Sequence, residues 1–70
     1  MKKPEINPDD LIDWMENSWH LYSACCGRNN EGLRFWVNGL KEYRVALGKT
    51  VLYQGSSVYY AIKAWDLEEA

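Results

Sequence analysis

From Leu11 onward, apolar side chains recur at steps of three and four: Leu11, Met15, Trp19, Tyr22 and Cys26, with Ile12 and Ser18 alongside. Such spacing lines one side of an α-helix. Asn7-Pro8-Asp9-Asp10 supplies a start. Asn7 can cap, Pro8 suits a first helical position because its missing N–H would go unpaired there anyway, and two carboxylates complement the positive end of the dipole. Gly27 is placed to end the helix in a left-handed conformation. The pattern therefore predicts a helix over 8–26, preceded by a flexible lead-in over 1–6.

After the polar loop Arg28–Gly32 the period changes to two. Leu33, Phe35 and Val37 alternate with Arg34 and Trp36, and Asn38-Gly39 signals a tight turn. Tyr43, Val45 and Leu47 then alternate with Glu42, Arg44 and Ala46, before Gly48-Lys49 marks a second turn ahead of Val51 and Tyr53. Three-residue loops are preferred, pairing Phe35 with Tyr43 and Val45 with Tyr53, because strict two-residue turns would mix the two faces. Leu33, Phe35, Val37, Tyr43, Val45, Leu47, Val51 and Tyr53 then face the core. Arg34, Trp36, Lys41 or Glu42, Arg44, Ala46 and Leu52 occupy the other face.

Gly55-Ser56-Ser57 stops the last strand and offers an N-cap, after which Val58, Ala61, Ile62 and Trp65 step along one side of a second helix. Its acidic end, Asp66 to Glu69, opposes the dipole and is expected to fray. The expectation is one α+β domain over 7–70 in the order α-β-β-β-α. It has a three-stranded antiparallel meander, two helices on one sheet face, and an uncovered second face.

Composition adds limits. A chain of 70 residues has room for one core, and 47% hydrophobic residues with four Trp and five Tyr can fill it without a metal or disulfide frame. A net charge of −2 lacks the basic excess usual in proteins built to hold nucleic acid. The lysines at the N-terminus are followed by polar and acidic residues instead of the apolar run of a signal peptide, and no stretch has the length of a membrane span, so a cytosolic location is expected. Cys25 and Cys26 are adjacent and unsuited to stapling distant segments, and His20 is the only histidine, so reduced thiols and no metal or other cofactor are expected.

Catalytic constellations are sparse. On the expected first helix Asp9, Asp13, Glu16 and His20 share a polar side, for which solvated charges with weak pairing are the ordinary reading and an acidic docking stripe of Asp9, Asp13 and Glu16 the functional one. Gly48-Lys49-Thr50 lacks the glycine spacing and following helix of a phosphate loop. The uncovered sheet face is more informative: Trp36 with Arg34, Lys41 and Arg44 has the composition enriched in interface hot spots. A twin subunit on this face would also support a small core.

The run from Tyr43 through Ser57, followed by Ala61-Ile62-Lys63-Ala64-Trp65, is a hairpin, a glycine-serine corner and an alanine-containing helix. With a helix before it, this order resembles the layout of double-stranded-RNA-binding domains. That family grips phosphates through lysines opening its last helix. Here those positions are Val58, Tyr59 and Tyr60, so the resemblance implies the layout without the grip. The same half of the chain resembles short accessory proteins of phages and prophages, some of which inhibit host enzymes or defence complexes. That resemblance implies a non-catalytic module that binds a host or phage protein by occupying a surface. The alternative is an RNA- or DNA-binding domain whose stacking and cationic platform is Arg34, Trp36, Lys41 and Arg44.

Overall fold

A computed structural model of the chain describes residues 4–27 and 30–68. It has the order α-β-β-β-β-α: α1 Pro8–Ile12, β1 His20–Cys26, β2 Gly32–Asn38, β3 Glu42–Leu47, β4 Thr50–Gly55 and α2 Val58–Leu67. The strands form one antiparallel sheet in the order β1-β2-β3-β4. The α+β class and the meander hold, with one strand more than the periodicity predicts.

The extra strand comes out of the expected helix 8–26. The N-terminal signals do work locally, since Asn7 accepts a hydrogen bond from the Asp9 amide at 3.0 Å and Pro8 opens α1. The helix nevertheless ends at Ile12, with Asp13 as its cap. Spacing alone does not hold a helix there: Asp13, Asn17, Ser18, His20, Tyr22, Ser23, Cys25 and Cys26 all have middling to poor helix propensity. Extended, residues 20–26 gain a backbone ladder with β2, from His20 opposite Val37 to Cys26 opposite Gly32. Met15, a member of the expected stripe, is left 87% exposed. Gly27 consequently caps no helix. It follows β1, where a Cβ would collide with Leu47 Cδ1.

The core forms between one sheet face and the helices. Leu33, Phe35, Val37, Tyr43, Val45 and Leu47 are buried there, as their alternation predicts, together with Leu11 of α1 and Ala61 and Trp65 of α2. Val58 and Ile62 pack against the same cluster half-buried, and Ser57 caps α2 by accepting from the Tyr60 amide. Rings meet edge-on through this core: Tyr22 on Phe35 and Phe35 on Trp65, each with centroids 6.1 Å apart. Of the expected lead-in, Ile6 is buried in the core and the Pro4 carbonyl accepts from Trp65 Nε1 at 3.0 Å, while residues 1–3 lie outside the described residues. α2 continues through Leu67, so Asp66 is helical while Glu68 caps the helix in an extended conformation, and residues 69–70 lie outside the described residues.

Two register details differ from expectation. The loop between β2 and β3 is Gly39-Leu40-Lys41, but it pairs Phe35 with Val45 and Val37 with Tyr43, two positions from the expected Phe35–Tyr43 pair and therefore on the same face. Lys41 takes the left-handed turn position with φ 63°. Between β3 and β4 the expected Val45–Tyr53 pair forms, but Ala46 pairs with Val51, which leaves Leu52 as an extra residue. This bulge turns Val51 out to the open face, 51% exposed, and brings Leu52 against the core. A matching bulge in β1, where Leu21 pairs with Trp36 and Ser23 with Phe35, turns Tyr22 inward.

Candidate functional site: the open sheet face

Cross-strand pairing assembles two rows of side chains on the face opposite the helices. One runs Leu21, Trp36, Arg44, Gln54 and the other Ala24, Arg34, Ala46, Val51. Trp36 is half-buried, while Leu21, Ala24, Arg34 and Val51 are exposed. A large indole thus stands near the middle of the sheet beside a row containing two alanines.

Arg44 is held from two sides. Its guanidinium carbon lies 4.5 Å from the centroid of the Trp19 ring, and its Nε donates to Gln54 Oε1 at 3.1 Å. Cation–π stacking and a hydrogen bond together reduce the rotamer freedom that a long side chain would lose on contact with a partner. Trp19 itself is half-buried and directly precedes β1. The expected helix assigns it to a core stripe, so its place beside Arg44 is missed. The available signal is the two-residue step from Trp19 to Leu21, masked by the three-and-four spacing.

Of the four expected contact residues, Arg34, Trp36 and Arg44 come together on this face. Lys41 does not: it lies in the β2–β3 turn, where its ammonium donates to the Ile12 carbonyl at the end of α1. The end of the open face is closed instead by Asn38, whose buried amide donates to Glu42 Oε1 at 3.0 Å and accepts from the Leu40 and Glu42 amides. Gly39 is required beside it, because a Cβ would stand 2.7 Å from the Met15 carbonyl oxygen. The segment leaving α1 therefore crosses against this turn.

The expected acidic stripe is dispersed because the helix that would have aligned it is absent. Asp9 remains in α1 and Asp13 is its cap, whereas Glu16 lies in the connection to β1 and contacts His20 Nδ1 at 2.9 Å. On the core side, Tyr22 donates to Asp10 Oδ2 at 3.0 Å, tying β1 to α1. Burial, reinforced by this hydrogen bond to a carboxylate, raises the Tyr22 phenol above its ordinary value, and burial alone raises Tyr43. The adjacent thiols diverge on the strand: Cys25 is half-buried against the core and Cys26 is exposed. Among the described residues, no group of three or more His, Cys, Asp or Glu side chains is arranged to hold a metal ion, and no helix is long and apolar enough to cross a membrane.

Compared with protein-family models, curated protein sequences and solved structures, the chain matches none.

Proposed function

We propose that this chain is a non-catalytic protein-binding module of the kind used by phages and mobile elements to occupy a surface of a host protein, with the open sheet face as its contact surface. The observation that carries this reading is the grouping of Trp36, Arg34 and an Arg44 already steadied by Trp19 and Gln54 on a face that, among the described residues, no helix covers. Large aromatic and guanidinium groups surrounded by small or aliphatic neighbours are the usual makings of a hot spot. The phage setting rests on the resemblance of the hairpin-plus-helix half.

Immobilised protein exposed to host lysate at several salt concentrations should retain one stoichiometric partner, and Trp36→Ala should release it. Recovery of no such partner, or equal recovery with Trp36→Ala, would count against the reading.

A second reading, an RNA- or DNA-binding face, is favoured by one observation: an arginine stacked on an indole beside a second tryptophan is also how single strands are held. Glu42 at the end of the same face and the overall charge of −2 weigh against it. Binding through phosphates must weaken steeply as salt rises, so a fluorescence titration at low salt separates the two.

A further inference from the structure

α2 carries two stripes. Val58, Ala61 and Trp65 face the core with Ile62 half-buried at its edge, and about a third of the way round the helix Tyr59, Lys63, Asp66 and Leu67 form, with Ile62 as the shared border, a second one at spacings of three and four. With Ile6 and Pro8 as its far wall, this outer stripe lines a groove of about 440 Å³. Two of its apolar members are largely uncovered, Tyr59 at 70% and Leu67 at 74% exposed, while Ile62 is half-buried against the core. Two large apolar side chains this exposed beside a groove offer surface that a partner can cover.

The charges on the stripe select which partner. Lys63 and Asp66 sit three residues apart, both exposed, near the middle of the stripe. When two copies of such a helix meet antiparallel about a two-fold axis passing between residues 64 and 65, Lys63 of each copy faces Asp66 of the other. Ile62 and Leu67 of both copies then flank the two ion pairs. A parallel arrangement would set lysine beside lysine and aspartate beside aspartate, so the charge order favours the antiparallel pair and fixes its register. Asp66 can serve this cation alongside other interactions because a carboxylate has acceptor sites for several donors. We infer that the outer stripe of α2 is a self-association surface through which two copies of this chain form an antiparallel α2–α2 dimer, leaving both open sheet faces available.

One helix stripe and a short wall make a small interface, so the dimer is weak and concentration-dependent. Sedimentation equilibrium of the full chain from micromolar to millimolar concentration should show a reversible monomer–dimer equilibrium. Lys63→Glu alone should be monomeric, because the introduced carboxylate then faces Asp66 of the other copy, and Asp66→Lys alone should be monomeric for the mirrored reason. Mixed one to one, the two variants should form a heterodimer, since opposite charges again meet across the interface. Both positions are exposed, and far-UV circular dichroism checks that each variant keeps its fold. Carbodiimide cross-linking of a mixture of ¹⁴N- and ¹⁵N-labelled wild-type protein, read by mass spectrometry, needs no variant and should yield a mixed-isotope Lys63–Asp66 linkage. A wild type that stays monomeric at millimolar concentration overturns the inference. So does a mixture that dimerises no better than its components, or a dimer that Trp36→Ala abolishes. Each of these outcomes leaves the lysate and salt-titration tests of the sheet face unaffected.

Discussion

The two faces of the sheet are built from the same strands, residues taken alternately, and they are organised in opposite ways. On the helix side each large ring is wedged against the next, so that Phe35, fully buried, touches Tyr22 and Trp65 edge-on. On the other side Trp36, its immediate neighbour, stands between Leu21 and Arg44 with Ala46 and Ala24 in the adjoining row. Density makes the first face a core, in which removing atoms leaves a void. The second face offers a few large side chains and few neighbours to depend on them. The same kind of residue therefore serves stability on one side and, on the proposed function, contact on the other.

Truncating the ring on the packed side challenges this contrast most severely. Phe35→Ala should cost about 3–5 kcal/mol, most of the stability a chain of this size has, and should appear in urea or thermal melts as a largely unfolded protein. A variant that melted near wild type would mean that the packed and open faces had been exchanged.

Next in size is the place where the N-terminal connection rests on the sheet. Gly39→Ala puts a Cβ against the backbone carbonyls of Met15 and Glu16, which cannot swing away as a side chain would. A loss of roughly 1–3 kcal/mol in chemical denaturation is expected. No loss would show that the 13–19 connection is not held against the turn and that Trp19 is not fixed beside Arg44.

A smaller effect separates the faces by pH. Tyr22 and Tyr43 belong to the helix side, and both phenols have folded-state values raised above 10.0. The folded state therefore holds its protons where the unfolded chain has released them. Stability should be complete below about pH 10 and decline as pH rises from there through the raised folded values. Tyr22→Phe should flatten part of that decline in thermal melts taken across the alkaline range. An unchanged profile would mean that Tyr22 takes no part in it.

The C-terminal two-thirds of this architecture is legible in the sequence, and the reason is physical. From Leu33 to Leu47 the period of two is unbroken on either side of the turn, and the buried set there matches the alternation. Ser57 and the Val58, Ala61, Ile62, Trp65 spacing carry their own cap and stripe. What escapes is non-local. β1 is a strand because β2 offers it a ladder and Phe35 offers Tyr22 a ring, and neither is visible within the segment itself. Val51 and Leu52 exchange faces because a single extra residue in β4 shifts the pleat on one side of it. The candidate site is partly legible for the same reason: Arg34, Trp36 and Arg44 follow from alternation alone. Trp19 requires β1, and Lys41 is misplaced because a turn residue obeys the loop instead of the pleat.

On the proposed function, Trp36 serves contact while Phe35, one residue away, serves the fold. This division is probed most directly by titrating the recovered protein partner with wild type and Trp36→Ala while recording the melting curve of each. Trp36→Ala should change stability by no more than about 0.5–1 kcal/mol. Its affinity for the partner should weaken by about 2 kcal/mol or more, close to thirtyfold. An affinity equal to wild type, or a weakening that merely tracks a large loss of stability, would contradict the division.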